Sequence, residues 1–199
     1  DTFFNNLDLN LGITYFKTEQ KNPLISDARG EWVVRNLTGR NTSEGVEFIS
    51  KWKPLHKKFN FNFGYTFTES YDANTCDQDS KDSWSDRECR NTGKLATAKV
   101  RVPRHAAQTR LDYQVNNNLI SSIAGKYSGR TRDFGNVNDG WRDQILNSYV
   151  VVDLVNSYQL FDSYKMNLNI NNIFNEEYQQ AWQYSTEGRS LSFGIKRVY

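Results

Sequence analysis

Three features of this sequence predict an all-β chain, an antiparallel transmembrane β-barrel wall of about eight strands. Apolar and polar residues alternate along run after run, the apolar material is rich in rings but low in total, and the connections alternate between long and short. The chain has 199 residues, with 37% hydrophobic content, 14% aromatics and a mean hydropathy of −0.76. That is low for a domain built around a large compact core. A formal net charge of +2, from 25 basic and 23 acidic side chains, argues against a nucleic-acid binder, which would carry a basic patch and a high pI. No stretch approaches the roughly 18 apolar residues of a membrane helix. A barrel strand needs only about 9–11 alternating residues, so the membrane stays open. Asp1–Asn5 has neither the basic start nor the apolar centre of a signal peptide, so the leader has been removed or the chain is an internal piece.

The strands follow in order. Leu7, Leu9, Leu11, Ile13 and Tyr15 alternate with Asp8, Asn10, Gly12 and Thr14. A weaker run covers Val46 to Trp52. Phe59, Phe61, Phe63, Tyr65 and Phe67 then alternate with Asn60, Asn62, Gly64, Thr66 and Thr68. Leu111, Tyr113 and Val115 form a fourth run, Leu119 to Tyr127 a fifth, and Val150, Val152 and Leu154 a sixth. Tyr164, Met166, Leu168 and Ile170 make the seventh, and Leu191, Phe193 and Ile195 lie in the last, Arg189 to Tyr199. Each run has the period of a strand with one apolar and one polar face.

The connections sort by length. Glu19–Glu31, Tyr71–Leu95, Arg130–Leu146 and Asn172–Gly188 are long; Lys53–Lys57, Asn116–Asn118 and Gln159–Ser163 are short. Outer-membrane barrels show this asymmetry, with short periplasmic turns and long extracellular loops. In that register the first strand runs outward and Tyr199 lies on the periplasmic side. A soluble sandwich has no reason to sort its loops this way. Phe59, Tyr65, Phe67, Tyr113 and Tyr127 are expected on the outward face, with Trp52 and Tyr164 near the short turns, as in an aromatic girdle. Rings filling a sandwich core are the alternative. Arg110, Asp112, Lys126, Asp153, Lys165 and Lys196 share the opposite face, which suits a polar lumen and the solvent side of a soluble sheet equally.

Three passages carry a resemblance. Asn171-Asn172-Ile173-Phe174-Asn175-Glu176-Glu177-Tyr178, then Tyr184, Gly188-Arg189 and a final alternating strand, are similar to the ending of TonB-dependent outer-membrane receptors. Ile173 stands where Leu is usual there, and Asn175 where Asp is usual. Tyr15-Phe16, Leu24-Ile25, Asn36 and Gly45-Val46-Glu47 resemble a second run of that family, and Val102-Pro103-Arg104-His105 a third. Together they cover most of the chain in the family's order. The stretches Tyr127–Gly135 and Tyr184–Arg189 resemble the vitamin B12 (cobalamin) receptor branch within it, although siderophore receptors share much of this ending.

The resemblance implies a plugged barrel of about 22 strands in the bacterial outer membrane. Such a receptor takes up a scarce small-molecule ligand, cobalamin or an iron chelate, with energy from the TonB complex delivered through an N-terminal plug. Residues 1–199 would be the C-terminal part of that barrel, with the plug absent. No cofactor, no catalysis and no nucleic acid are implied; outer-membrane lipids are. Ligand contacts are expected from aromatic and Arg side chains of the long loops, suited to stacking and bidentate hydrogen bonding: Arg130, Arg132, Phe134, Trp141, Tyr178, Trp182, Tyr184 and Arg189. Each has a loop-packing alternative, and Arg189 beside Gly188 can serve to shape the turn into the last strand. Two other readings remain: a self-contained eight-stranded outer-membrane barrel with a structural or adhesive role, and a soluble β-sandwich binding module.

Cys76 and Cys89, the two cysteines, share the longest loop. Facing an oxidising exterior, they are expected to form a disulfide that pins the loop; two free thiols are the alternative. Asp77, Asp79 and Glu88 match three positions of a calcium loop, but Lys81 and Asp82 stand where a ligand and the needed Gly belong. A solvated loop is the better reading, and no metal is expected. His56 and His105 have no nucleophile at a suggestive spacing, and neither a phosphate loop nor a dinucleotide fingerprint is present. His105 is expected to be a hydrogen-bonded residue at a strand end.

Overall fold

The computed structural model describes residues 8–22, 24–27, 33–36, 40–53, 58–73, 96–136 and 141–197. Eight long strands form one antiparallel sheet in the order β1 (Leu9–Lys21), β4 (Arg40–Trp52), β5 (Phe59–Ala73), β7 (His105–Gln114), β8 (Leu119–Ser128), β11 (Tyr149–Phe161), β12 (Tyr164–Asn171) and β13 (Ser190–Arg197). Between them lie the hairpin β2 (Leu24–Asp27) with β3 (Val33–Asn36), the short β6 (Ala96–Ala98) on β5, and the hairpin β9 (Thr131–Asn136) with β10 (Trp141–Leu146). There is no helix among the described residues. The sheet is open, with β1 and β13 at its edges.

The pairing register decides the faces, because residues directly opposite in an antiparallel pair share a side of the sheet. One paired row crosses all eight strands: Leu9, Trp52, Phe61, Leu111, Ile123, Leu154, Ile170 and Leu191. Every member is apolar. The adjacent row, on the other face, runs Asn10, Lys51, Asn62, Arg110, Ala124 and Asp153. The six charged residues expected on one face do share it, and Phe59, Tyr65, Phe67, Tyr113 and Tyr127 share the other. On β5 the outward positions from Phe59 to Phe67 are all aromatic, a stretch of about 27 Å at ~3.4 Å per residue. This is comparable to the apolar band of outer-membrane barrels, roughly 25 Å tall. Beyond it the outward positions turn charged, at Lys17, Glu44 and Glu69.

Among the described residues only one layer is present. Leu146 and Tyr149 are the buried hydrophobic residues among those described, whereas Ile13 is 75% exposed and Leu191 69%. A soluble sandwich would bury that face against a second sheet, so the apolar face here is left for lipid. On the polar face the groups satisfy one another. The Arg110 guanidinium donates to Asp112 (2.7 Å) and to the Ser122 hydroxyl (3.1 Å), and Ser122 donates to Asp112 (2.6 Å).

The strands run further at the long-loop end than the alternation suggests. Glu19–Lys21 continues β1 opposite Arg40–Thr42, and Tyr71–Ala73 continues β5. Glu19–Lys21 is polar on both faces, so there backbone pairing goes on where the hydrophobic signal stops. Surface ion pairs mark it: Lys17–Glu44 at 3.2 Å and Arg40–Glu19 at 3.6 Å. Two short turns lie at Val115–Asn118 and Asp162–Ser163, the second tighter than expected because β11 runs on to Phe161; residues 54–57 of the third link lie outside the described residues.

Candidate functional site

The loop between β12 and β13 is folded on itself by short polar side chains. The Asn172 amide N–H donates to Asp153 Oδ1 (2.7 Å), and its side chain bonds the Glu176 backbone in both directions, at 2.9 and 2.8 Å. Asn172 and Asn175 both have positive φ, 50° and 54°, a region that Asn tolerates far better than β-branched or bulky residues. Asn175 Oδ1 accepts the Arg189 N–H at 2.9 Å, and the Arg189 guanidinium reaches the Ile173 carbonyl at 3.5 Å. A Cβ on Gly188 would lie 2.8 Å from Asn175 Oδ1, so glycine lets the two ends of the loop meet. Asp in place of Asn175 would supply the same acceptor, which explains why that departure from the family pattern is mild. The Tyr178 ring packs on Tyr149 with centroids 4.2 Å apart.

A second device ties three segments together. Asp133, on β9, is 1% exposed. One carboxylate oxygen pairs with Arg101 Nε at 2.9 Å and the other accepts the Trp182 backbone N–H at 2.7 Å. The Arg101 N–H in turn donates to the Arg132 carbonyl at 2.8 Å. The segment before β7, the β9–β10 hairpin and the β12–β13 loop therefore meet at one buried carboxylate. Sequence reasoning missed both Asp133 and Arg101.

A cavity of about 560 Å³ opens beside this junction, lined by Leu146, Ser148, Glu176, Tyr178, Trp182 and Thr186 among others. That lies within the usual range for small-ligand sites. Trp182 Nε1 is buried with no hydrogen-bond partner. Of the eight ligand candidates, Tyr178 and Trp182 line this cavity. Arg189 lies next to its Gly188 wall and bonds the loop backbone. Tyr184 is 72% exposed, closing a turn with Ala181. Arg132, Phe134 and Trp141 sit on the β9–β10 hairpin, opposite Ile145, Asp143 and Asn136. Arg130 is apart from them, in a separate notch with Arg104 and His105. His105 is hydrogen-bonded at a strand start, its Nδ1 2.7 Å from the Tyr65 hydroxyl. Cys76, Cys89, the acidic residues from Asp77 to Glu88, and His56 lie outside the described residues. Among the described residues no three His, Cys, Asp or Glu side chains come together to hold a metal.

Residues 2–173 match the family described as TonB dependent receptor-like, beta-barrel. The chain belongs to that family. No curated protein sequence matches it. Among solved structures it is similar to the siderophore receptor PiuA from Acinetobacter baumannii, at 25% identity and a TM-score of 0.67, covering 96% of this chain and 26% of that one. It is also similar to FpvA of Pseudomonas aeruginosa, solved with a bound pyoverdine–iron complex (18%, TM-score 0.70, 96% and 25%), and to the ferric-catecholate import receptor Fiu of Escherichia coli K12 (19%, TM-score 0.67, 96% and 25%). The chain thus spans about a quarter of the length of the solved receptors it matches. Its sheet is a sector of a TonB-dependent receptor barrel, its place is the bacterial outer membrane, and its family is one of transport receptors rather than enzymes.

Proposed function

We propose that residues 1–199 form the C-terminal part of the barrel of a receptor that takes up an iron chelate, energised by the TonB complex through a plug domain carried elsewhere in the whole protein. The observation that carries the choice of ligand is the likeness to the siderophore receptor PiuA over 96% of this chain. The site chemistry agrees. A ferric chelate presents flat or oxygen-rich groups, and the cavity is lined by the aromatic residues Tyr178 and Trp182. Tyr184, Arg189 and the hairpin residues Arg132, Phe134 and Trp141 are proposed as secondary contacts because they belong to the same long loops. The cobalamin reading rests on the look of Tyr127–Gly135 and Tyr184–Arg189 alone. The test is equilibrium binding of the full-length receptor to a ferric catecholate, a ferric hydroxamate and cobalamin. One iron chelate is expected to bind, and Trp182→Ala to weaken it about tenfold, the usual effect of losing a hot-spot ring. Binding of cobalamin with neither chelate bound would sink the proposal.

A further inference from the structure

A notch of about 350 Å³ lies at the long-loop border of the apolar face, lined by Arg104, His105, Tyr127, Gly129, Arg130 and Ser148. The register puts His105, Tyr127 and Gly129 of this lining on the lipid side. His105 pairs with Phe67, and Tyr127 with Ala107 and Val150, all on the outward face. The Arg104 guanidinium swings to that side as well, 5.9 Å over the Phe67 ring and ion-paired with Glu69. Gly129 donates its N–H to the His105 carbonyl at 2.7 Å, and a Cβ there would lie 3.0 Å from that oxygen. Glycine therefore keeps the notch open between β7 and β8.

Among the described residues the charges at this border do not cancel. The outward acidic residues are already engaged: Glu19 by Arg40, Glu44 by Lys17 and Glu69 by Arg104. Arg130 has no hydrogen bond or ion pair among the described residues and is exposed. His105 Nδ1 is engaged with the Tyr65 hydroxyl at 2.7 Å, which leaves Nε2 as the second polar atom of that ring. Arg130, His105 and Ser148 thus line one notch at the level where a bilayer's headgroups begin. Tyr127, Val150, Ala107 and Phe48 continue the face below as apolar surface.

We propose that this notch binds the phosphate of an anionic lipid in the outer leaflet, with the acyl chains lying on the apolar face beneath it. Arg130 is the principal contact, because a guanidinium matches two phosphate oxygens at once. Arg104 and His105 complete the cradle. The inference rests on the outer-membrane placement of the family and not on which ligand is transported.

The experiment is native mass spectrometry of the full-length receptor in neutral detergent, titrated with diphosphoryl lipid A, its dephosphorylated form, phosphatidylcholine or inorganic phosphate. Wild type is expected to retain diphosphoryl lipid A about tenfold more tightly than Arg130→Gln, the loss of a charged hydrogen-bond pair. Arg130→Lys should recover part of the difference, and the neutral lipids should bind wild type and variant alike. Equal retention of diphosphoryl lipid A by wild type and Arg130→Gln overturns the proposal. Preference for the dephosphorylated lipid overturns it too, and inorganic phosphate binding as tightly as the lipid would make this a site for a water-borne anion instead. A slower gel migration on boiling reports that each variant is folded, and Tyr127→Ala, which removes apolar contact without charge, separates headgroup from chain contributions.

Discussion

At the scale of single residues, the loops are held by side chains whose partners are far away in sequence. Asp133 reaches Arg101 across 32 positions and Trp182 across 49. Nothing in the local sequence Arg-Thr-Arg-Asp-Phe-Gly distinguishes it, so its role could not be read before the loops were folded. Replacing it by Ala strands the Trp182 N–H and frees a half-exposed Arg101. The cost is about 1–3 kcal/mol, most of it from the unsatisfied amide. Because the loops open locally, hydrogen exchange is the measurement: the Trp182 amide in Asp133→Ala should exchange about one to two orders of magnitude faster than in wild type, while amides of β7 and β8 keep their rates. Uniform acceleration would mean that Asp133 supports the whole sheet instead. Other motif residues become intelligible only in the fold. Phe16 lies opposite Gly45, and a Cβ there would meet the Phe67 carbonyl at 2.0 Å and the Phe16 ring at 2.8 Å. The Tyr-Phe and Gly-Val-Glu passages are thus one contact, an aromatic ring laid over a glycine across two strands.

At the scale of elements, alternation found the strands and failed where both faces become polar. The long β-runs were legible because lipid on one side and a polar lumen on the other impose a strict period of two. The β9–β10 hairpin escaped because Thr131–Asn136 is polar with one ring. Only the Asp139-Gly140 dipeptide between the two strands, a hairpin-turn signal, hinted at it. The same two-sided logic makes a prediction. Ile123 sits midway along β8, outward and 50% exposed, between Leu111 and Leu154. Ile123→Arg in the full-length receptor should destabilise the folded barrel by about 2–4 kcal/mol, the cost of a cation facing lipid near mid-depth. A charge on the lumen side, Gln108→Glu opposite Lys126, should change stability by less than ~0.5 kcal/mol. Equal effects in urea unfolding of receptor in lipid vesicles would contradict the assignment of faces.

At the scale of the whole molecule, β1 and β13 each present an edge that no strand among the described residues pairs. Exposed edges are templates for further pairing, and in a TonB-dependent receptor barrel both would be taken by neighbouring strands. The row from Leu9 to Leu191 says how those neighbours must arrive. It meets the short-turn end of the sheet at Trp52 on β4, but on β7 the outward face continues two residues further down, to Tyr113. On β8 it continues four residues below the row, to Leu119, and on β12 six, to Tyr164. The lower rim therefore descends like a staircase, by about one residue for each strand crossed. Six residues at ~3.4 Å against five to seven strand spacings of ~4.8 Å give strands inclined by about 30–40° to the membrane normal. That agrees with the tilt a closed barrel requires, roughly 35–45°. At such an angle the aromatic stretch from Phe59 to Phe67 covers about 22 Å of membrane depth. Polarised infrared spectroscopy of oriented membranes holding the full-length receptor should return an amide dichroism for strands in that range, and strands upright to within about 15° would be incompatible with the register. A sheet sheared in this way can close only on a partner that carries the same stagger, so the pairing of side chains in these eight strands already sets the slope of strands that lie outside them.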